Sequence, residues 1–124
     1  MPQIFSVFQI VIDKDLSDLI NKEGHDCHVK SKARIQAMMD GDVRLGVMHD
    51  CYTKVAEVVA DDLEHVFEVG NIGPEDRITR LEKMTSISVG DIIADADGVC
   101  SVVNNVGFTP LAPSFHKMVL KEAA

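Results

Sequence analysis

The sequence has few of the features that mark secreted, membrane-spanning or disulfide-bonded proteins. It holds three cysteines, Cys27, Cys51 and Cys100, and their odd number and irregular spacing favour free thiols over a disulfide framework. No apolar run approaches the ~20 residues that a membrane-spanning helix needs. The first residues lack the basic segment and the small-residue cleavage site of a secretory signal. We therefore expect a cytoplasmic protein with no membrane partner.

Positive charge is also scarce. The chain has 12 lysine and arginine residues against 20 aspartate and glutamate residues, which gives a net charge of −8 and a pI near 4.9. This balance argues against direct binding to the phosphate backbone of a nucleic acid. It is typical of a soluble surface. It also suits a protein that meets a basic partner, such as a nucleic-acid-binding enzyme.

The glycines do not form a phosphate-binding loop. Gly70, Gly73, Gly90, Gly98 and Gly107 fit neither a Walker pattern nor a dinucleotide fingerprint between a strand and a helix. We therefore expect no nucleotide-dependent catalysis and no cofactor.

The patterns that are present predict a single domain of residues 1–124. β-branched and aromatic residues at 4–12 predict a well-covered strand. Alternation at 43–48 predicts a strand or an extended segment, and alternation at 52–59 predicts another strand. Helices are expected to begin at Asp13, at Ser31 and at Asp61 or Asp62, and a last one is expected within 114–124. The stops expected for the first three are Gly24, residues 40–42 and Gly70 with Asn71.

The predicted helices have acidic faces that we expect to lie in solvent. Acids in the first turn also complement the helix dipole. As candidate partner-binding residues we take Asp13, Asp15, Asp18, Asp61, Asp62 and Glu64.

Residues 85–111 give the strongest fold signal. Residues 87–93 and 99–103 are rich in β-branched side chains, and an Asp97-Gly98 turn between them predicts a β-hairpin. A glycine at position 90 indicates a bulge or a close backbone approach. A turn before Gly107 and Phe108 predicts a short third strand. The residues taken as the structural motif are Val89, Gly90, Asp91, Gly98, Gly107 and Phe108.

Together these elements predict an α+β fold. We expect about five or six mainly antiparallel strands, with three or four short helices packed on one side of the sheet.

The second half of the chain carries motifs in a recognisable order. They are Tyr52-x-x-Val55-Ala56-x-Val58, Asp61-Asp62-Leu63-Glu64-x-Val66-Phe67, Asn71, Ser86-Ile87-Ser88-Val89-Gly90-Asp91-Ile92-Ile93 and Gly107-Phe108. This order resembles that of small phage and mobile-element proteins related to the YodL-like domain. The resemblance covers about residues 52–111 and leaves 1–51 and the tail 112–124 outside it. It implies a phage-type module that acts on host proteins.

Histidine and cysteine residues form a candidate metal site. His25, Cys27 and His28, with His49 and Cys51, offer the ligand types that zinc selects. Their spacing matches no zinc finger or knuckle, so scattered loop residues with partly buried thiols are favoured. A cysteine nucleophile needs a base and an orienting group, which the sequence does not supply. We predict no structural metal and no catalytic residue.

Two further groups have competing interpretations. Asp91, Asp95 and Asp97 could hold a divalent cation, but a structural role is favoured. Turn chemistry explains Asp95 and Asp97, and Asp91 is expected to accept hydrogen bonds from backbone amides at a bulge. The methionines and two phenylalanines suit either an adaptable binding surface or core filling, and core filling is favoured. This second group consists of Phe5, Phe8, Met38, Met39 and Met48.

The function expected from these patterns is non-enzymatic. We expect a protein that binds and modulates a host protein, most simply by inhibiting a defence or transcription component. The alternative is a binder or sequesterer of a small-molecule or nucleotide signal, using a pocket or the interface of a homo-oligomer. A flat acidic or apolar patch would favour the first function, and a basic pocket would favour the second.

Overall fold

The computed structural model describes residues 2–24, 28–82, 84–104, 107–111 and 119. The helices in these ranges are α1 Lys14–Glu23, α2 Val29–Asp40, α3 Arg44–Met48 and α4 Leu63–Ile72. The strands are β1 Gln3–Ile10, β2 Tyr52–Ala60, β3 Ile78–Arg80, β4 Ile92–Ala94, β5 Cys100–Val103 and β6 Phe108–Pro110. None of the described helices is long and apolar enough to cross a membrane.

The six described strands form one sheet in the order β3-β2-β1-β4-β5-β6, and every neighbouring pair is antiparallel. The longest pairing is between β1 and β2, where Gln3 lies opposite Ala60 and Ile10 opposite Tyr52. Val55 is an extra residue in this ladder, because Val7 pairs with Ala56 and Phe8 with Lys54. The predicted α+β class with a mainly antiparallel sheet is confirmed.

Both faces of this sheet are buried. Phe8 and Ile10 belong to a core that α2 and α3 cover, whereas Phe5 and Val7 belong to a second core that α4 covers. Successive side chains of a strand point to opposite faces, so the two cores lie on opposite sides of the sheet. The helices thus divide between the two faces rather than lying together on one side as expected. Helices are needed on both sides of the sheet because β1 and β4 are apolar on both faces.

Short polar side chains begin two of the helices as predicted. Asp13 Oδ1 accepts a hydrogen bond from the backbone N–H of Leu16 at 2.8 Å, and α1 ends at Gly24. Asp62 Oδ1 accepts from the N–H of His65 at 2.8 Å and begins α4. This helix runs to Ile72, slightly beyond the predicted stop.

The prediction that Ser31 begins α2 is wrong. His28 is the cap, and its Nδ1 accepts a hydrogen bond from the N–H of Lys30 at 3.0 Å. Ser31 lies in the first turn, where its hydroxyl donates to the carbonyl of His28 at 2.8 Å. An imidazole nitrogen has replaced the usual hydroxyl or carboxylate oxygen. The end of α2 at Gly41 is as predicted.

The strand or extended segment predicted at 43–48 is also wrong, since this segment contains α3. Val43 and Val47 are both buried, and they stand four residues apart, as one face of a helix requires. Alternation of apolar and polar residues over so short a segment fits either the period of a strand or the period of a helix. Gly46 lies against the ring of Tyr52, because a Cβ at this position would come within 2.7 Å of Tyr52 Cε2.

The predicted hairpin exists but is shorter than expected. β4 pairs with β5, and Ile92 lies opposite Val102. The turn region depends on Asp95, whose Oδ1 accepts hydrogen bonds from the N–H groups of Asp97 and Val99 at 2.9 Å each. Gly98 has a φ of +84°. The predicted turn role of these aspartates is confirmed, whereas residues 87–91 are not a regular strand.

Two further predictions have different outcomes. Phe108 lies in β6, so the predicted third strand is confirmed. Most of the predicted helix at 114–124 lies outside the described residues, although Val119 is buried in the core beneath α2.

Candidate functional site

Gly90 is the first residue of a β-bulge that joins the irregular segment 84–91 to the sheet. Its N–H donates to the carbonyl of Val103 at 2.9 Å, and the N–H of Val103 donates to the carbonyl of Asp91 at 2.9 Å. Val103 therefore lies opposite two residues, and the first of them has a φ of +93°. The N–H of Asp91 also donates to the carbonyl of Ser88 at 3.1 Å and closes a β-turn. The bulge predicted at Gly90 is confirmed.

The close backbone approach predicted at Gly90 is confirmed as well. A Cβ at this position would lie 2.7 Å from both the carbonyl carbon and the Cβ of Ala37. The hydroxyl of Tyr52, a residue of β2, donates a hydrogen bond to the carbonyl of Gly90. Both the conformation and the space at this position therefore require glycine.

The side chain of Gln9 makes hydrogen bonds with the backbone of segment 84–91 of the kind that a neighbouring strand would make. It points from β1 and is 4% exposed. Gln9 Nε2 donates to the carbonyl of Thr85 at 3.0 Å, and the N–H of Thr85 donates to Gln9 Oε1 at 3.1 Å. The same Nε2 donates to Asp91 Oδ2 at 3.0 Å. One amide thus binds both ends of the turn-containing segment.

Asn71 of α4 makes an equivalent pair of contacts. The N–H of Ile87 donates to Asn71 Oδ1 at 2.6 Å, and Asn71 Nδ2 donates to the carbonyl of Ile87 at 3.0 Å. Ile87 is 2% exposed and belongs to the core beneath α4. We call the segment 84–91 with Gln9 and Asn71 the amide clamp.

Asp91 is the unusual ionisable group of the amide clamp. Burial raises its pKa to about 6, although hydrogen bonds from the backbone of Ser88 and the side chain of Gln9, and the charge of Arg34, act in the opposite direction. Both of these hydrogen bonds reach Oδ2 at 3.0 Å. Burial likewise raises the pKa of Tyr52 far above its ordinary value.

A small pocket lies between part of the amide clamp and α2, beside the contact of Gly90 with Ala37. Its lining includes Arg34, Met38, Thr85, Ser88 and Asp91, and its volume is about 20 Å³. This is space for about one water molecule, which is too small for an organic substrate. The amide clamp therefore has a structural role, since it fixes the segment 84–91 to the sheet. The raised pKa of Asp91 predicts that the stability of this arrangement depends on pH.

The amide clamp contains residues that sequence reasoning missed. The sequence pattern does not distinguish Gln9 from the apolar strand around it, and it marks Asn71 only as a helix stop and as part of a resemblance. The available signal was a single amide side chain at a position where its neighbours, Phe8 and Ile10, are buried hydrophobic residues. Such a residue needs a partner, but the sequence does not identify it.

The two predicted acidic faces do not come together. Asp13 follows β1 and Asp61 follows β2, and these strands run in opposite directions. The two groups therefore begin at opposite ends of the β1–β2 pair, roughly 23 Å apart along the strands. All six predicted partner-binding residues are exposed. Asp13 and Asp62 are also helix caps, so their carboxylates have a structural role.

The predicted histidine and cysteine residues are scattered where they are described. His25 and Cys27 lie outside the described residues. His28 caps α2, and His49 is exposed at the end of α3. Among the residues that the structure describes, no group of three or more histidine, cysteine or acidic side chains is placed to hold a metal ion.

The two described cysteines are buried thiols. Burial raises the pKa of Cys51, and burial raises the pKa of Cys100 to about 11. Nucleophilic attack and metal binding need the thiolate, so these environments disfavour both.

The methionines lie mostly outside the core. Met38, Met39 and Met48 are 49%, 72% and 64% exposed, whereas Phe5 and Phe8 are buried. Core filling, the favoured interpretation, is therefore correct for the phenylalanines and wrong for the methionines. The methionine side chains form part of the outer surface of α2 and α3.

Comparison with protein-family models, with curated proteins and with solved structures finds no match for the chain.

Proposed function

We propose that this chain is a non-enzymatic protein of the phage type that binds and modulates a host protein, a component of defence or transcription. The observation that carries the proposal is the exposure of Met38, Met39 and Met48 on two neighbouring helices. We call these three residues the methionine surface. The resemblance to YodL-like proteins over residues 52–111 supports a host target.

The packing of α2 and α3 supports this use of the surface. These helices contribute Ala33, Ala37 and Val47 to the core, and Val43 at the N-cap of α3 is buried with them, so their inward faces are already occupied. The methionines therefore remain available to a partner. Methionine has a flexible, polarisable side chain that adapts to irregular apolar surfaces, which explains its frequent use in protein-binding sites.

The charge of the chain supports a basic partner. With a net charge of −8, the surface attracts a positively charged protein before contact is made. The exposed acids of α1 and α4 supply part of this field, and apolar contact through the methionine surface then stabilises the complex. This division of roles predicts separate effects on the rate of association and on the lifetime of the complex.

The test is affinity capture from a bacterial host lysate with the wild type and two variants. Met39→Gln/Met48→Gln keeps side-chain length and helix propensity but removes the apolar contact. Ile72→Gln is the matched control, because Ile72 is 84% exposed on α4, far from the methionine surface in the fold. Recovered proteins are identified by mass spectrometry and then purified for binding measurements.

We expect one host protein to be retained by the wild type and by Ile72→Gln. The double methionine variant should bind it at least about 10-fold more weakly. Equal retention by all three proteins would contradict the proposal that the methionine surface is the binding site. Hydrolysis or modification of the captured protein by the purified chain would contradict a non-enzymatic role.

A further inference from the structure

A second surface feature lies beside the methionine surface. A groove of about 420 Å³ separates α1 from α2, and its apolar lining includes Ile12, Ile20, Ile35 and Met38. This volume lies in the range of sites that bind small organic molecules. Helix α1, which forms one wall of the groove, has no fully buried residue.

Arg34 gives the groove its charge. It lines both this groove and the small pocket beside Asp91, and it is only partly exposed. Arg44 and Arg80 each form an ion pair, with Asp42 and Glu75, at 2.8 Å. Among the described residues, no carboxylate lies within ion-pair distance of Arg34.

The guanidinium of Arg34 favours an anionic partner, because hydrogen bonds between two charged groups are stronger than those between neutral groups. In a chain with 20 acidic residues, no described carboxylate forms an ion pair with Arg34, although its charge acts on Asp91. The groove next to Arg34 combines apolar side chains with the polar side chains of Ser17 and Asn21. We propose that the groove between α1 and α2 binds a small organic carboxylate with an aliphatic body, and that Arg34 pairs with its carboxylate. The guanidinium matches a carboxylate in a planar, two-pronged geometry, and the isoleucines contact the aliphatic chain.

This site shares Met38 with the methionine surface but is otherwise distinct from it. Met39 and Met48, which define the test of that surface, do not line the groove. The two proposals can therefore fail independently. Loss of carboxylate binding with partner capture intact would remove only the small-molecule site, and the converse result would remove only the partner site.

The test uses octanoate, with 1-octanol and octylammonium as probes of equal chain length and different charge. Binding is followed by NMR through the methyl signals of Ile12, Ile20, Ile35 and Met38. Arg34→Gln removes the charge, and Arg34→Lys keeps it without the two-pronged geometry. Arg80→Gln is the matched control, because it removes one arginine charge at β3.

We expect octanoate to shift the groove signals and to bind Arg34→Gln roughly 10-fold or more weakly than the wild type. Arg34→Lys should retain intermediate affinity, and Arg80→Gln should bind within about 2-fold of the wild type. Equal binding of octanol or octylammonium would overturn the proposal, and so would the absence of groove shifts. Groove shifts that depend on protein concentration alone would assign the groove to a second copy of the chain and also overturn it.

Discussion

The side-chain amide of Gln9 exchanges two hydrogen bonds with the backbone of Thr85, 76 positions further along the chain, at 3.0 and 3.1 Å. A third bond from the same amide reaches Asp91. Together with the hydrogen bonds between Asn71 and Ile87, this contact fixes the segment 84–91 to the sheet, although the segment is not a continuous strand. Residues of the clamp also line the small pocket beside Arg34.

Replacing Gln9 tests the amide clamp. Gln9→Leu leaves the N–H and carbonyl of Thr85 without these partners and removes a donor from Asp91. We expect a loss of about 1–3 kcal/mol in the free energy of unfolding, because three partly buried hydrogen bonds are lost and water replaces them only in part. Gln36→Leu, at an exposed position of α2, should change it by less than about 0.5 kcal/mol. Denaturant unfolding measures both, and equal stability of the two variants would show that the clamp contributes nothing.

Gly90 allows a prediction with an internal control. Gly90→Ala combines a positive φ with overlap against the backbone of α2, so we expect a loss of about 2–4 kcal/mol. Gly107 has a φ of +77° but open space around its Cα, so Gly107→Ala should cost only about 1 kcal/mol. Thermal and denaturant unfolding compare the two. If both substitutions cost the same, the contact between Gly90 and α2 has no energetic role.

Asp91 makes the stability of the fold depend on pH. Its carboxyl pKa of about 6 lies above the ordinary value of 3.8, so the folded state binds this proton more tightly than the unfolded state does. The contribution of Asp91 to the free energy of unfolding therefore falls as pH rises from about 4 to about 6, and it stays low above pH 6.

Asp91→Asn removes this titration and keeps an oxygen to accept the bonds from Gln9 and Ser88. We expect the stability of Asp91→Asn relative to the wild type to increase by up to about 3 kcal/mol between pH 4 and pH 7. Asp97→Asn controls for the loss of one negative charge at an exposed position. A stability difference that is the same at both pH values would contradict the burial of a charged carboxylate.

The acidic faces lead to a kinetic prediction. If they steer the chain to a basic host protein, the association rate should fall as salt rises, since exposed charges are screened over ~8–10 Å near physiological ionic strength. Asp15→Asn/Asp18→Asn tests α1, and Asp61→Asn/Glu64→Gln tests α4. Asp13 and Asp62 are left unchanged because they cap these helices.

Of these two variants, the one that changes the acidic face nearer the partner should associate more slowly than the wild type. Its dissociation rate should change less than its association rate. The two faces lie at opposite ends of the β1–β2 pair, so we expect one of them to dominate. Stopped-flow or surface binding kinetics at low and high salt measure the effect. A salt-independent association rate in all three proteins would mean that the charge serves solubility alone.

The sequence predicted those parts of the fold that depend on local patterns. Asp13 and Asp62 precede apolar residues at helical spacing, and the residues on either side of Asp97 and Gly98 are β-branched, so caps and hairpin were predictable. The helix in segment 43–48 was not predictable. Over so few residues, apolar side chains two positions apart, as in a strand, are also four positions apart, as in a helix. Strand β3 has only three residues and gives no period at all.

The candidate sites were less predictable because they depend on contacts between distant residues. Nothing near Gln9 in the sequence indicates Thr85 as its partner. The methionines illustrate a second limit, since an apolar side chain on a helix does not show which face the core occupies. Only the packing of Ala37 and Val47 against the sheet shows that Met39 and Met48 are exposed.

Hydrogen–deuterium exchange of the complex with its captured host protein tests the central claim most directly. We predict slower exchange on partner binding in α2 and α3 around Met39 and Met48, with no change in α4 around Ile72. Protection confined to α4 or to the sheet edge at β3, with α2 and α3 unchanged, would contradict the methionine surface as the place where this chain binds its partner.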